Sequence, residues 1–285
     1  MARFSLDDVR ATRKDKDAWW TVLLVDPVAV RVAWLLANWT RATPNQITVA
    51  AFGLGLGAAA AFWQGTSGWL MIGALLYHLG FVLDCVDGKI ARLKGSGSLF
   101  GVWLDFMLDR VRDGICAVAL ANGLFAVTGQ VRYLWLAFGV LALDMFRYVN
   151  GPQMAKVRRH MLAELGEPAP AEAVEEKPDE EAVDLQREFR SRFPLYIRVR
   201  DALLRHRIRT HLVSGIEFQM AVFIVAPLTG LILPVTAAAG AMLLTFELAL
   251  IYKFCLSVRT FTRLRENQPP VPKPAEPTTT LLQTR

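Results

Sequence analysis

Residues 84–109 read DCVDGKIARLKGSGSLFGVWLDFMLD, two apolar arms joined by a turn of Gly and Ser. Asp84 and Asp87 stand three residues apart in the first arm, and Asp105 and Asp109 four apart in the second. On a helix either spacing puts both side chains on one face, about a turn apart. The connection, about Leu93 to Ser98, is short enough to make the arms antiparallel neighbours. Both acid pairs then lie at the same end of the two helices, close enough to face each other.

The arms belong to longer apolar blocks. Hydrophobic residues make up 53% of the 285-residue chain and charged residues 20%, with a mean hydropathy of +0.31. A soluble domain of this size normally carries a larger charged share. Six stretches reach the roughly 20 residues that cross a bilayer, near 46–64, 67–91, 98–127, 132–152, 212–233 and 235–258. Thr43 can cap the first of them, and Pro44 suits its first turn. Asp26 to Trp39 is shorter, is interrupted by Arg31 and is flanked by Trp34 and Trp39, the pattern of an amphipathic helix lying along the membrane surface. The expected fold is therefore an all-α integral membrane protein of six transmembrane helices preceded by an interfacial helix. Its expected parts are an N-terminal segment (1–25), the interfacial helix (26–43), a six-helix domain (44–258) interrupted by an acidic and basic insert at about 157–211, and a proline-rich tail (259–285).

Charge sets the expected orientation. In the connections 64–68 and 128–132 and the Leu233-Pro234 turn, Arg132 is the sole Lys or Arg. The other side holds the N-terminal segment, Arg92, Lys94, the 153–211 connection and the tail. The positive-inside rule puts that side, both termini and the acid pairs in the cytoplasm; the expected location is a cell membrane, taken to be bacterial. The formal net charge of +6 is then charge held beside anionic lipid. Without an aromatic-basic module or zinc spacing it does not point to nucleic acid. The N-terminus has no h-region or cleavage site of a signal peptide. Cys85, Cys116 and Cys255 lie in apolar blocks and read as packing residues. Residues 164–188 and 267–285 hold too few large apolar groups to offset ordering entropy, while the Arg-rich 187–211 reads as a basic surface helix.

Ionisable groups inside apolar segments are costly and mark functional sites. Converging carboxylates repel unless protonated or bridged by cations, and an all-oxygen set favours a hard ion such as Mg²⁺, Mn²⁺ or Ca²⁺ over zinc. Gly88 and Ala91 sit four residues beyond Asp84 and Asp87, leaving room for a bulky ligand. Gly101 removes bulk one turn before Asp105, and Arg92 offers a cation for phosphate.

The pattern Asp84-x2-Asp87-Gly88-x2-Ala91-Arg92-x8-Gly101-x3-Asp105-x3-Asp109 resembles the signature of the CDP-alcohol phosphotransferase family at all eight positions. The likeness extends over about residues 26–258, including the Pro44-Asn45-x-x-Thr48 start of the first span. The resemblance implies displacement of CMP from a CDP-alcohol by an acceptor hydroxyl, dependent on Mg²⁺ or Mn²⁺, with two ions. It also implies metal ligands at Asp84, Asp87 and Asp105, and Asp109 as both metal-site carboxylate and base. Asn45, Thr48, Asp84, Gly88, Ala91 and Arg92 would line the CDP site. The family's usual donor is CDP-diacylglycerol, with inositol phosphate or glycerol phosphate as acceptor. CDP-choline or CDP-ethanolamine donors and specialised soluble substrates stay open, as does a homodimer.

Blander readings stand beside these. Asp113, next to Arg110 and Arg112, reads as an arginine partner, and His78 as a hydrogen-bonded core residue. Asp144 and Arg147 can satisfy each other, or Arg147 with Lys156, Arg158 and Arg159 can bind a phosphate on the acceptor. Glu217, Gln219, Glu247 and Lys253 read as interhelical glue. The Gly53, Gly55, Gly57 run reads as close helix packing, since no strand precedes it. A divalent-cation transporter is the alternative from another class, but it wants its acids near the midplane. A scaffold leaves the aspartate spacing without a purpose.

Overall fold

The computed structural model describes residues 4–165, 202–209 and 212–266. Among these the chain is helical, with no strand and one isolated bridge between Asp17 and Ile208. A short helix α1 (Leu6–Ala11) opens on a Ser5 capping box with Asp8. A π-helical turn, Thr21–Val25, runs into α2 (Asp26–Trp39). Four long helices follow: α3 (Pro44–Trp63), α4 (Ser67–Lys94), α5 (Leu99–Thr128) and α6 (Arg132–Glu164). After the insert come α7 (Gly215–Thr229), which contains a central π turn, and α8 (Ile232–Glu266).

Local chemistry sets the ends. Thr43 and Gln46 form a reciprocal capping box with Pro44 at the first position of α3, the start expected from sequence. α4 ends on Arg92 and Lys94, whose charge suits a helix C-terminus, and on Gly95 at φ +60°, a left-handed cap that glycine adopts without penalty. Ser98 then caps α5 by accepting from the Gly101 amide at 3.0 Å. The hairpin therefore turns within a few residues and sets the acid-bearing ends of α4 and α5 side by side.

Among the described residues, five helices are long and apolar enough to cross a membrane: Thr21–Trp39, α3, α4, α5 and α8. The π turn lengthens the helix expected over 26–39 to 19 residues, so length no longer separates it from the spans. α6, with Asp144 and Arg147 in its apolar stretch, falls outside the five, and α7 is apolar but short. α6 also continues past the expected end at 152, through Pro152 to Glu164, and α8 continues to Glu266. Most of the expected basic helix (187–211), most of the acidic stretch (164–188) and the tail (267–285) lie outside the described residues.

α3 packs along both α4 and α5, and small residues make that approach possible. A Cβ on Gly123 of α5 would lie 2.8 Å from the Trp63 carbonyl oxygen, and one on Gly73 would lie 2.5 Å from the Phe62 ring. Phe62, Tyr77 and Phe223 stack at the centre, joining α3, α4 and α7. α2 is fastened to α4 by an ion pair of 2.8 Å between Asp26 and Lys89, both buried. Arg207 also approaches Asp26, at 3.6 Å, while the Asp17 amide donates to the Arg207 carbonyl and the Asp17 carbonyl accepts from the Arg209 amide. The N-terminal segment thus holds the returning end of the insert. Removing one partner of a buried ion pair strands a charge, costing about 3–5 kcal/mol, whereas removing both is often tolerated. Lys89→Met should therefore lower the thermal unfolding midpoint in detergent, and adding Asp26→Asn should recover most of the loss.

Candidate metal and substrate site

One carboxylate oxygen from each of Asp84, Asp105 and Asp109 lies within 4.8 Å of the other two, a grouping that can hold a metal ion. The trio joins α4 to α5 at the hairpin end, where the two spacings place it. Asp87 is not in the trio. It is buried and its carboxylate accepts the Thr48 hydroxyl, so the second acid of α4 faces α3. Asp105 Oδ1 is buried and has no hydrogen-bond partner. An unsatisfied buried carboxylate oxygen beside two others is costly in isolation and is supplied with a partner by a hard divalent cation. The donor set, all oxygen, fits Mg²⁺ or Mn²⁺.

The residues around the trio are arranged on three helices. Thr48, Ala51, Phe52, Asp84, Leu108, Asp109 and Arg112 line one small cavity. Asn45 reaches the start of α5, where a Cβ on Gly101 would come 2.9 Å from its Oδ1. The absence of a side chain at Gly101 is therefore what admits Asn45. At Gly88 a Cβ would meet only the Arg92 guanidinium, at 3.4 Å, so the surface there stays open. Arg92 is exposed and donates from Nε to the Thr12 carbonyl at 2.7 Å, which brings the N-terminal segment to this edge. Ala91 is half-buried on the same turn.

Asp113 pairs with arginine as expected. Its Oδ1 accepts from Arg112 at 3.2 Å and from the Tyr77 hydroxyl at 2.7 Å, and its Oδ2 forms an ion pair with Arg110 at 2.9 Å. Asp144 and Arg147 do not satisfy each other. Asp144 accepts from Arg110 at 2.9 Å and from Gln219 at 2.9 Å. Arg147 turns the other way, to an ion pair with Oε1 of the buried Glu247 at 3.1 Å, whose Oε2 accepts from Asn150. The i,i+3 spacing leaves both partners free to choose a neighbouring helix, and the buried groups of α5, α7 and α8 win. Gln219 and Glu247 are thus interhelical glue, whereas Glu217 serves Ser214 and Arg209 at the start of α7. Of the expected acceptor cations, Arg147 is engaged with Glu247. Lys156 and Arg159 are exposed and Arg158 half-buried on the extension of α6. His78 is half-buried against Trp20, and its Nδ1 has no hydrogen-bond partner.

Arg112 was not singled out from sequence. Its side chain is 2% exposed, and Nη1 lies 2.8 Å from Asp109 Oδ1. The signal that pointed to it was the glycine run in the first span, since its stem occupies the space that Gly55 leaves.

Residues 41–174 match the family model of CDP-alcohol phosphatidyltransferase. The matched segment contains all four aspartates. Among curated proteins it is similar to the phosphatidylinositol phosphate synthase of Corynebacterium glutamicum, 37% identical over 92 residues, or 32% of this chain and 39% of that protein. It is also similar to the archaetidylinositol phosphate synthase of Methanothermobacter thermautotrophicus, 35% identical over 129 residues, or 44% of this chain and 56% of that one. A third relative is the bifunctional IPC transferase and DIPP synthase of Thermococcus kodakarensis, 34% identical over 116 residues, or 41% of this chain and 24% of that protein. The chain thus spans between about a quarter and just over half of the length of these relatives.

Loss of one carboxylate should be felt directly in metal binding. Asp105→Asn or Asp109→Asn should weaken Mn²⁺ binding to the detergent-solubilised protein, read by electron paramagnetic resonance, by about 100-fold or more, the upper range for groups that merely support ligands.

Proposed function

We propose that the chain is a membrane transferase that moves a phosphatidyl group from CDP-diacylglycerol to the hydroxyl of an inositol phosphate, or of a related polar alcohol phosphate such as glycerol phosphate, and releases CMP. The observation that carries this reading is the Asp84, Asp105 and Asp109 cluster at the turn of two apolar helices, inside the segment that matches the family. The acceptor is argued from the relatives, two of which are named as inositol phosphate lipid synthases.

In this reading Asp84, Asp87, Asp105 and Asp109 surround Mg²⁺ or Mn²⁺, two ions when the donor is bound, and Thr48 orients Asp87. A divalent ion supplies charge neutralisation of the donor diphosphate as CMP departs. Asn45, Thr48, Gly88, Ala91 and Arg92 line the place of the CDP group, with Gly88 giving it access to backbone and Gly101 making room for Asn45. Asp109 takes the proton of the acceptor hydroxyl, the hydroxyl oxygen forms the new bond to phosphorus, and the bond to CMP breaks. Lys156, Arg158 and Arg159, with Arg147 if it leaves Glu247, offer charge to a phosphate on the acceptor.

The topology proposed with this function has six spans, α3 to α8, with the helix over 26–39 at the interface and α7 completing its crossing with flanking residues. The acid-bearing hairpin and both termini face the cytoplasm by the positive-inside rule. Residues 44–258 form the catalytic domain and 259–285 a tail outside it. A homodimer through membrane helices fits the exposed apolar faces of the bundle.

The test is CMP release from CDP-diacylglycerol by the purified chain with Mg²⁺ or Mn²⁺, across a panel containing inositol phosphate, inositol and glycerol phosphate. Release should require the metal and be fastest with inositol phosphate. A general base contributes about 10²- to 10⁴-fold, and Asp109→Asn should lower the rate by at least that much. Metal flux into vesicles without CMP release from any CDP-alcohol would point instead to a cation transporter.

A further inference from the structure

Arg112 stands outside the eight motif positions, yet its guanidinium enters the carboxylate cluster. Nη1 contacts Asp109 Oδ1 at 2.8 Å, and Nε contacts Asp113 Oδ1 at 3.2 Å. The guanidinium lies over the Tyr77 ring, 5.1 Å from its centroid, and the Tyr77 hydroxyl donates to Asp113 at 2.7 Å. Its stem runs where a Cβ on Gly55 would be, with Cδ 2.5 Å from that position. Gly55 is the member of its run that the packing requires: a Cβ on Gly53 would meet nothing, and one on Gly57 would make ordinary contact. Arg112 also lines the cavity shared by Asp84 and Asp109. The side chain is thus fixed from four directions, by Asp109, Asp113, Tyr77 and Gly55.

We propose that Arg112 is a positioning residue and a resident countercation of the metal site. It holds the Asp109 carboxylate toward the cluster and, by its fixed charge, limits how tightly the cluster binds divalent cations. An arginine side chain does not lose its proton in a protein, so this charge is present whether or not metal is bound. A positive charge in contact with one ligand carboxylate repels a divalent ion at that carboxylate, and burial leaves the repulsion poorly screened. Such a site keeps Asp109 aimed before metal arrives and does not hold its metal so firmly that the site becomes rigid. The inference rests on reading the cluster as the metal site of a CDP-alcohol transferase.

The test compares Mn²⁺ affinity, read by electron paramagnetic resonance, with CMP release for the full chain and its Arg112 variants. Arg112→Met removes the charge and should bind Mn²⁺ about tenfold more tightly, while CMP release falls about tenfold or more as Asp109 loses its hold. Arg112→Lys keeps the charge and should retain the affinity of the parent chain. If the methionine variant does not fold, Arg112→Gln, which keeps a donor for Asp109 without the charge, should show the same tightening. A residue that only props the helices apart would lower affinity and activity together. Unchanged or weakened Mn²⁺ binding in the neutral variants overturns the inference. A parent chain that binds Mn²⁺ but releases CMP from no CDP-alcohol overturns the transferase reading, and the affinity comparison still decides the role of Arg112.

Discussion

Carboxylates gathered between helices in an apolar bundle repel one another, and the surrounding protein screens that repulsion far less than water does. At about 5 Å and an effective dielectric of about 20, each like-charged pair costs about 3 kcal/mol. Asp84, Asp105 and Asp109 lie at such separations, so the hairpin of α4 and α5 can close only if something offsets the charge. A divalent cation is one answer. The chain supplies others from its own residues: Arg112 at Asp109, and the Thr48 hydroxyl at Asp87.

The helix packing follows from that requirement. Arg112 needs space beside α3, which Gly55 provides, and Asn45 needs space beside α5, which Gly101 provides. The balance extends outward as alternating charge. Arg112 meets Asp113, Asp113 meets Arg110, and Arg110 meets Asp144 on α6 while stacking 3.6 Å from the centre of the Tyr148 ring. Gln219 of α7 closes the chain at Asp144, and Arg147 and Glu247 tie α6 to α8. Polar groups inside a membrane bundle are expected to find partners on neighbouring helices, and here the partners radiate from the site. The three carboxylates are therefore held by the whole bundle as well as by the hairpin.

Much of this was legible in the residue order. The spacing of Asp84 with Asp87 and of Asp105 with Asp109 put four acids on facing helix surfaces, and Thr43 and Pro44 marked the start of α3 where it occurs. What the order did not show depended on choices among partners. Asp144 could have paired with Arg147 on its own helix, but periodicity does not say that Arg110 and Glu247 lie closer across helix boundaries. Asp87 shares the face of Asp84, but only the approach of α3 turns its carboxylate to Thr48. Helix length was partly hidden for a different reason. The π turn before Asp26 and the passage of α6 through Pro152 extend helices past residues that ordinarily stop them. Gly55 was visible as packing, and what it packs against was not.

The central claim is that α4 and α5 present one metal site to a CDP-linked donor. It is tested most directly by anomalous diffraction at the manganese edge from crystals of the chain grown with Mn²⁺ and a CDP-alcohol. The account predicts manganese peaks among Asp84, Asp105 and Asp109, with the donor diphosphate beside them and the cytidine end toward Asn45 and Thr48. Manganese bound elsewhere, or a CDP-alcohol bound away from these carboxylates, would contradict it.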